Sequence, residues 1–420
     1  MGGGSSSFRR VQGAFARPHG GKRADRGMVR AKQRDLRYSC GSAMALDVRV
    51  HASIREIPAE QWDALDGVRE APFLSHTWLD ALEATGCVGG ETGWVPYHLS
   101  FRDGERLVAA APAYLKENSE GEFVFDWAWA GAAQRAKIPY YPKLIVAVPF
   151  TPATGARLLV ADPAERPKLV GVLASVLRKL VAASGMSGAH VLFPTEEEAN
   201  GLVEAGMAHR LGLQLHWKND GYKTFDDYLA RFSSKRRNQI KRERREMDKQ
   251  GLVLSTARGR IPPDVIDAMY GFYLSTVEKF TWGRQYLNRA FFEEVCDKLA
   301  GRIEIVVARD GQRMIGGAFN LLGETTLFGR YWGAAEDRPF LHFNVCMYHS
   351  IDECIAHGVP VFEAGAGNNE HKLVRGFEPS ITHSAHHLAH PGLDRAVREF
   401  LEREREAVSE GAARKDVAFR

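Results

Sequence analysis

Cysteine is scarce in this 420-residue sequence, and what there is lies scattered. Cys40, Cys87, Cys296, Cys346 and Cys354 form no CxxC or Cys/His spacing, which excludes a zinc module and a disulfide framework. They read as buried thiols in a reducing compartment. No run approaches the ~18 uninterrupted apolar residues that a membrane-spanning helix needs. G-x-x-x-x-G-K-[ST], G-x-S-x-G and H-E-x-x-H are all missing, so a P-loop, a hydrolase elbow and a zincin site have no basis here. His383, His386 and His387 do not make a metal site either. On a strand, His386 and His387 point to opposite faces. No metal, no tightly bound cofactor and no DNA partner is implied.

Charge is unevenly spread along the chain. Residues 1–43 carry ten Lys/Arg against Asp25 and Asp35, a net of +8, whereas the whole chain is +4. The remaining body is therefore mildly acidic, at −4. Rich in Gly, Ser and Arg and poor in large apolar side chains, residues 1–43 predict a disordered basic leader. Three readings stay open: an organelle transit peptide, a start assigned too early with Met44 the true first residue, and a functional basic arm. The first implies a plastid or mitochondrial location, the second the cytoplasm.

The body has the 45% apolar and 26% charged composition of a globular protein, and its length predicts two domains. Residues 44–216 read as strand, helices, a hairpin around Asp103-Gly104, a helix over 163–184 and two further strands. Gly121-Glu-Phe-Val-Phe-Asp-Trp-Ala-Trp-Ala130 suits a sheet edge or cleft wall, which singles out Asp126 and Trp127. Pro139, Pro142, Pro149 and Pro152 exclude a long regular element and make a stiff loop carrying Tyr140, Tyr141 and Lys143.

In residues 217–420, Ser233 or Ser234 caps a helix over 235–250 that Gly251 closes. Eight basic and three acidic residues lie between Lys235 and Lys249. Either this is a solvated helix with local ion pairs, Glu243 among them, or it is a platform for phosphates. Lys235, Arg236 and Arg237 sit at its N-terminus, where the helix dipole also favours anions. Arg313-Met-Ile-Gly-Gly-Ala318 matches the acetyltransferase pyrophosphate loop R-x-x-G-x-A. It follows a hairpin turn and continues as a strand, however, so the match carries nothing.

Residues 328–377 carry the chemistry. A strand through Tyr331 leads past His342 into a helix in which Val345, Tyr348, Ile351 and Ile355 recur at helical spacing. Gly358 suits its left-handed cap, and Val359-Pro-Val-Phe reads as a buried strand. Glu363, His371, Lys372 and Arg375 follow at the strand end, where open α/β sheets bind ligands. Glu363 is the candidate base, or else a carboxylate paired with Lys372 or Arg375. Lys372 and Arg375, three apart, predict a shared helical face for an oxyanion or phosphates. Tyr331 is a candidate proton donor and His342 a positioning group. Arg330 should face away from Tyr331 and bridge the sheet.

Several strings are specific enough to name a family. Pro72-Phe-Leu-Ser, Gly121 to Ala130, Tyr140-Tyr-Pro-Lys-Leu, Val148-Pro-Phe-Thr-Pro, Gly329-Arg-Tyr-Trp-Gly, Leu341-His-Phe, Glu363-Ala-Gly-Ala and Glu370-His-Lys-Leu-Val-Arg-Gly resemble predicted N-acyltransferases of bacteria, plants and algae. These carry the label "peptidoglycan biosynthesis/recognition" and are grouped with Fem-type peptidyltransferases in the GNAT superfamily. The chain departs from the family's shorter Ala-Gly-Ala-Gln-Gly-Glu-His-Lys run through Gly367-Asn368-Asn369. The resemblance implies an α/β (α+β) fold of two GNAT-like mixed-sheet domains packed together. It also implies transfer of an acyl or aminoacyl group from acyl-CoA or aminoacyl-tRNA to a small-molecule or peptide amine. The alternative is a non-catalytic protein recognising an amino-sugar or peptide in the same cleft.

Overall fold

In the computed structural model, residues 36–40, 44–279, 284–367 and 370–413 are described. The leader thus lies outside them except for its last stretch, which carries a short strand that composition did not predict. Leu36–Cys40 is a strand, β1, paired antiparallel with β2 (Met44–His51). The pairing hydrogen-bonds backbone groups that composition says nothing about.

β3 (Trp94–Pro96) follows two helices, Ala59–Asp63 and His76–Ala84. β4 (His98–Asp103) and β5 (Arg106–Ala111) form the expected hairpin, with Gly104 at φ 58° in its turn. Pro112 has no N–H to give a ladder, and beyond it β6 (Ala113–Lys116) passes into a second sheet. β7 (Lys143–Val146) and β8 (Leu159–Val160) are the short strands that the proline-rich segment allows. The helix Arg166–Ser184 then covers them, burying Leu169, Leu173, Val176, Leu177 and Leu180 in one core. β9 (Gly188–Leu192) and β10 (Ala208–Lys218) follow.

The later part contributes β11 (Leu252–Arg258), β12 (Ile303–Asp310), β13 (Arg313–Leu322), β14 (Thr326–Ala334), β15 (Val361–Glu363) and β16 (Glu378–Leu388). Arg313 to Ala318 lies inside β13, so the R-x-x-G-x-A string is strand, as expected. The helix Pro263–Lys279 packs close on β13 and β14 because Gly333 has no side chain there; a Cβ would collide with the Phe272 carbonyl. The expected helix from Asn344 opens as a π-turn, Asn344–Tyr348, before α-helix His349–His357. Val345, Tyr348, Ile351 and Ile355 are buried as their spacing requires, and Gly358 caps at φ 67°.

Two sheets result. One has the order β1-β2-β4-β5-β8 and the other β11-β12-β13-β14-β15-β10-β16-β9-β7-β6-β3. β10 runs through residue 216, where the sequence reading divides the chain, and pairs with both β15 and β16. β16 lies between β10 and β9, and Asp35–Arg420 is one compact unit. Among the described residues no helix is long and apolar enough to cross a membrane.

Candidate active site

β14 and β15 are parallel, and they part. Pairing covers only Thr326 to Phe328 against Val361 to Glu363, after which β15 ends while β14 continues to Ala334. At the parting, β14 bulges. Tyr331 pairs with Phe319 and Gly329 with Asn320, leaving Arg330 as the extra residue. Bulges re-aim side chains, so the expectation that Arg330 only bridges the sheet is corrected. It lines a cavity of about 870 Å³ with Tyr331, Phe123, Phe125, Tyr273 and residues 365–367. One guanidinium nitrogen donates to the Phe150 carbonyl at 2.9 Å, while Nε is buried without a partner.

Tyr331 packs its ring on Tyr273 and Phe292, and its hydroxyl is buried with no hydrogen-bond partner. Burial raises its pKa, so it stays a proton donor. Glu363, 8% exposed, has no hydrogen bond. The nearest positive-capable atom is His216 Nδ1 at 3.7 Å. Burial pushes the Glu363 carboxyl up to about 8, against the pull of Arg330, Arg157 and Lys372. The alternative of a Glu363 salt bridge to Lys372 or Arg375 is not what forms among the described residues. Lys372 is buried on the short helix Glu370–Leu373, and its Nζ donates to the Gly365 carbonyl at 2.6 Å. Burial brings it down to about 8, so Glu363 and Lys372 titrate together near the working range of an acid–base pair. His342 packs against Trp332, ring centroids 4.5 Å apart and tilted by 48°, and is held down at about 4 by burial and by Arg375, Lys372 and His371. His371 is exposed beside Phe343.

Arg375 belongs elsewhere. The expected shared face with Lys372 fails because the helix stops at Leu373. Arg375 is buried, donating to Glu243 at 2.7 Å, to the Tyr348 hydroxyl at 2.7 Å and to the His371 carbonyl at 2.9 Å. Its donors are spent on a brace. Glu243 likewise forms its ion pair with Arg375 rather than with a Lys or Arg of its own helix: it is 1% exposed on the helix Ser234–Lys249 and also accepts from Tyr348 and from Gln239 one turn before it. At the N-terminus of that helix, Ser233 is the cap and Lys235 is exposed. Arg236 reaches Gln239, and Arg237 folds back onto the carbonyls of Leu229 and Phe232. None of the three lines either cavity that Glu363 or Tyr331 borders.

The first-half residues gather in a second place. Tyr140 donates to Asp126 at 2.7 Å, and Lys143 pairs with Asp126 and, at 2.9 Å, with Glu122. Tyr141 meets Ser119 at 2.7 Å. Burial alone would raise Asp126, but Lys143 holds it below its ordinary value; burial takes Glu122 up to about 7. This is a closed ionic knot, apart from the fork. Trp127 is not in it: it starts the helix Trp127–Arg135, 64% exposed beside Phe125.

Sequence reasoning missed Arg330, His216, Glu122 and Ser119. Gly329 inside a strand-like run was the available signal for the bulge, and Glu122 stood in the Gly121 to Ala130 string. Nothing local marked His216. Among the described residues no group of three or more His, Cys, Asp or Glu side chains can hold a metal.

Comparison with known families finds that the FemAB-like model, described as peptidoglycan biosynthesis/recognition, matches residues 53–420. Comparison with curated proteins finds no match. Among solved structures, the chain is similar to a C-terminal domain (DUF2156) attributed to a lysylphosphatidylglycerol synthetase of Agrobacterium fabrum. That match has 12% identity and TM-score 0.50 over 82% of this chain and 96% of that one. It is also similar to FemX, at 12% identity and TM-score 0.49 over 83% of this chain and 99% of that one. At such identities the likeness is one of fold.

Proposed function

The chain belongs to the FemAB-like family of peptidoglycan biosynthesis and recognition, and from that premise we propose that it is an N-acyltransferase, moving an aminoacyl group from an RNA ester to an amine. One observation carries the reading. At the fork of β14 and β15, the Tyr331 hydroxyl and Arg330 Nε are buried without hydrogen-bond partners beside one cavity, and the Glu363 carboxyl lines a second with only the His216 ring, at 3.7 Å, in ion-pair reach. Buried polar groups are ordinarily satisfied, and a bound reactant satisfies these.

The amine nitrogen attacks the ester carbonyl. Glu363 accepts the amine's proton as the C–N bond forms. Arg330 and Lys372 stabilise the oxyanion. The ester C–O bond then breaks, and the proton passes to the leaving ribose oxygen through Tyr331. His342, held neutral, positions the Trp332 side of the fork.

Donor class follows from the loop after β14. A pyrophosphate needs backbone N–H groups at a glycine-rich helix entry, but this loop reads Ala335-Glu-Asp-Arg-Pro-Phe340 and carries two acids. A coenzyme A donor is disfavoured there. The exposed bases Lys235, Lys241, Arg242 and Arg245 on the helix Ser234–Lys249 suit an RNA backbone instead. The test mixes purified protein with pooled amines and either charged tRNA or acetyl-CoA. Amine-dependent discharge of tRNA is the expected result. Thiol release from acetyl-CoA with no tRNA discharge would overturn the donor, and neither reaction would overturn the activity.

A further inference from the structure

We propose that the acyl acceptor is a small alkyl amine bearing a second positive charge, bound in a carboxylate-rimmed cavity whose wall includes Glu363. This rests on the transferase reading and names the substrate class of its second pocket.

The cavity holds about 720 Å³ and is separate in its lining from the one beside Tyr331. Asp66, Glu70, Glu197, Glu324 and Glu363 line it, against Arg69 and Arg166. Arg166 contributes little net charge, because it is already bound to Asp66 at 2.5 Å and Glu198 at 3.0 Å. Glu70 is fixed on the wall by the Thr325 amide at 3.0 Å and hydroxyl at 2.6 Å. Glu197 and Glu324 are exposed. The balance is negative, which raises the local concentration of cations.

Charge alone would be a solvated patch. Glu363 makes it a site. Its side chain is nine-tenths buried and lines this cavity, and among the described residues only the His216 ring, at 3.7 Å, is within ion-pair reach of it. His216 does not neutralise it, since burial together with Lys372 and Lys218 keeps that imidazole down at about 4. An unpaired buried carboxyl costs stability unless a ligand donor meets it. An ammonium group does so by displacing the proton that the buried carboxyl otherwise holds, and the carboxylate so formed is a base in contact with it. Leu65, Ala156, Pro163 and Phe328 add apolar lining to the same cavity. A methylene chain fits such a lining, with its far ammonium at Glu324 and Glu197. The same strand end serves the donor side: Gly365, two residues on, lines the other cavity.

Calorimetric titration of the full chain with cadaverine, n-pentylamine and glutarate, without any donor, tests this. Cadaverine should bind one to one, pentylamine about tenfold more weakly and glutarate undetectably. Glu324→Gln and Glu197→Gln, at exposed positions, should each weaken cadaverine about threefold, and Glu363→Gln should abolish its binding with no fall in melting temperature. Equal affinity for cadaverine and pentylamine, multiple sites indifferent to Glu363→Gln, or preference for glutarate would overturn the proposal. Failure here is distinguishable from failure of the transferase reading. Cadaverine binding without transfer from any donor sinks the activity alone. Transfer to monoamines with no cadaverine preference sinks the acceptor class alone.

Discussion

Glu363 holds a proton that an ordinary carboxylate would release, and that has two measurable consequences. Its folded-state value is about 8 against an ordinary 4.5, with burial the cause. Between those values the native chain binds more protons than the unfolded one, so stability falls as pH rises through this window and levels off above about 8. Glu363→Gln removes that slope: its melting temperature should exceed that of the wild type at pH 9 by more than at pH 5. Activity should move oppositely. The wild type gains kcat/KM as pH rises towards 8, whereas Glu363→Gln should lose about 10²–10⁴-fold in kcat, the span of a lost general base. Retained kcat in the variant would remove Glu363 from the chemistry. The position of Glu363 at the end of a short apolar strand was legible in sequence, because Val359-Pro-Val-Phe reads as a buried strand. Arg375 was misread because its partner Glu243 lies 132 residues away and no local spacing reports it.

Elements were read more securely than their faces. Caps and glycines gave the helix Ser234–Lys249 within a residue, since Ser233 and Gly251 act locally. Which side it buries was hidden by its charge: Glu243 points inward and Arg237 ties the helix to the turn before it. The Glu243–Arg375–Tyr348 brace therefore joins this helix to the segment carrying Lys372. Removing one member strands a buried charge, which costs far more than the pair contributes. Glu243→Ala should destabilise by about 3–5 kcal/mol in denaturant unfolding. The double variant Glu243→Leu with Arg375→Met should recover most of that loss, because no buried charge remains. A Glu243→Ala midpoint equal to wild type would show the brace to be energetically idle. The bulge at Arg330 was unread for a similar reason: Gly329 permits it, but only the pairing of β13 with β14 creates it.

At the scale of the molecule the question is whether residues 44–216 and 217–420, read from the sequence as two domains, are two folding units. Local pattern cannot answer, because the decisive pairing is remote: Ser384 opposite Leu192 and His386 opposite Ala208 place the last strand between two strands of the first half. Aromatic contacts cross as well, Phe73 against Phe328 at 5.1 Å and Trp78 against Phe291 at 4.9 Å, within one core. A fragment of residues 44–216 would lose β16 from between β9 and β10 and β15 from the end of β10. Two long strand edges and the buried rings Phe73 and Trp78 would then face water, a setting for aggregation rather than folding. The fragment should be insoluble, or show no protected amides in β9 and β10 by hydrogen exchange. The full chain should unfold in one calorimetric transition, with calorimetric and van't Hoff enthalpies equal. Two resolved transitions, or a soluble fragment with native-like protection, would establish independent domains. Glu363 would then sit at a boundary between mobile bodies, since β15 pairs with β14 on one side and with β10 on the other. A single transition instead means that the fork is held rigidly from both halves, as the proposed role of Glu363 requires.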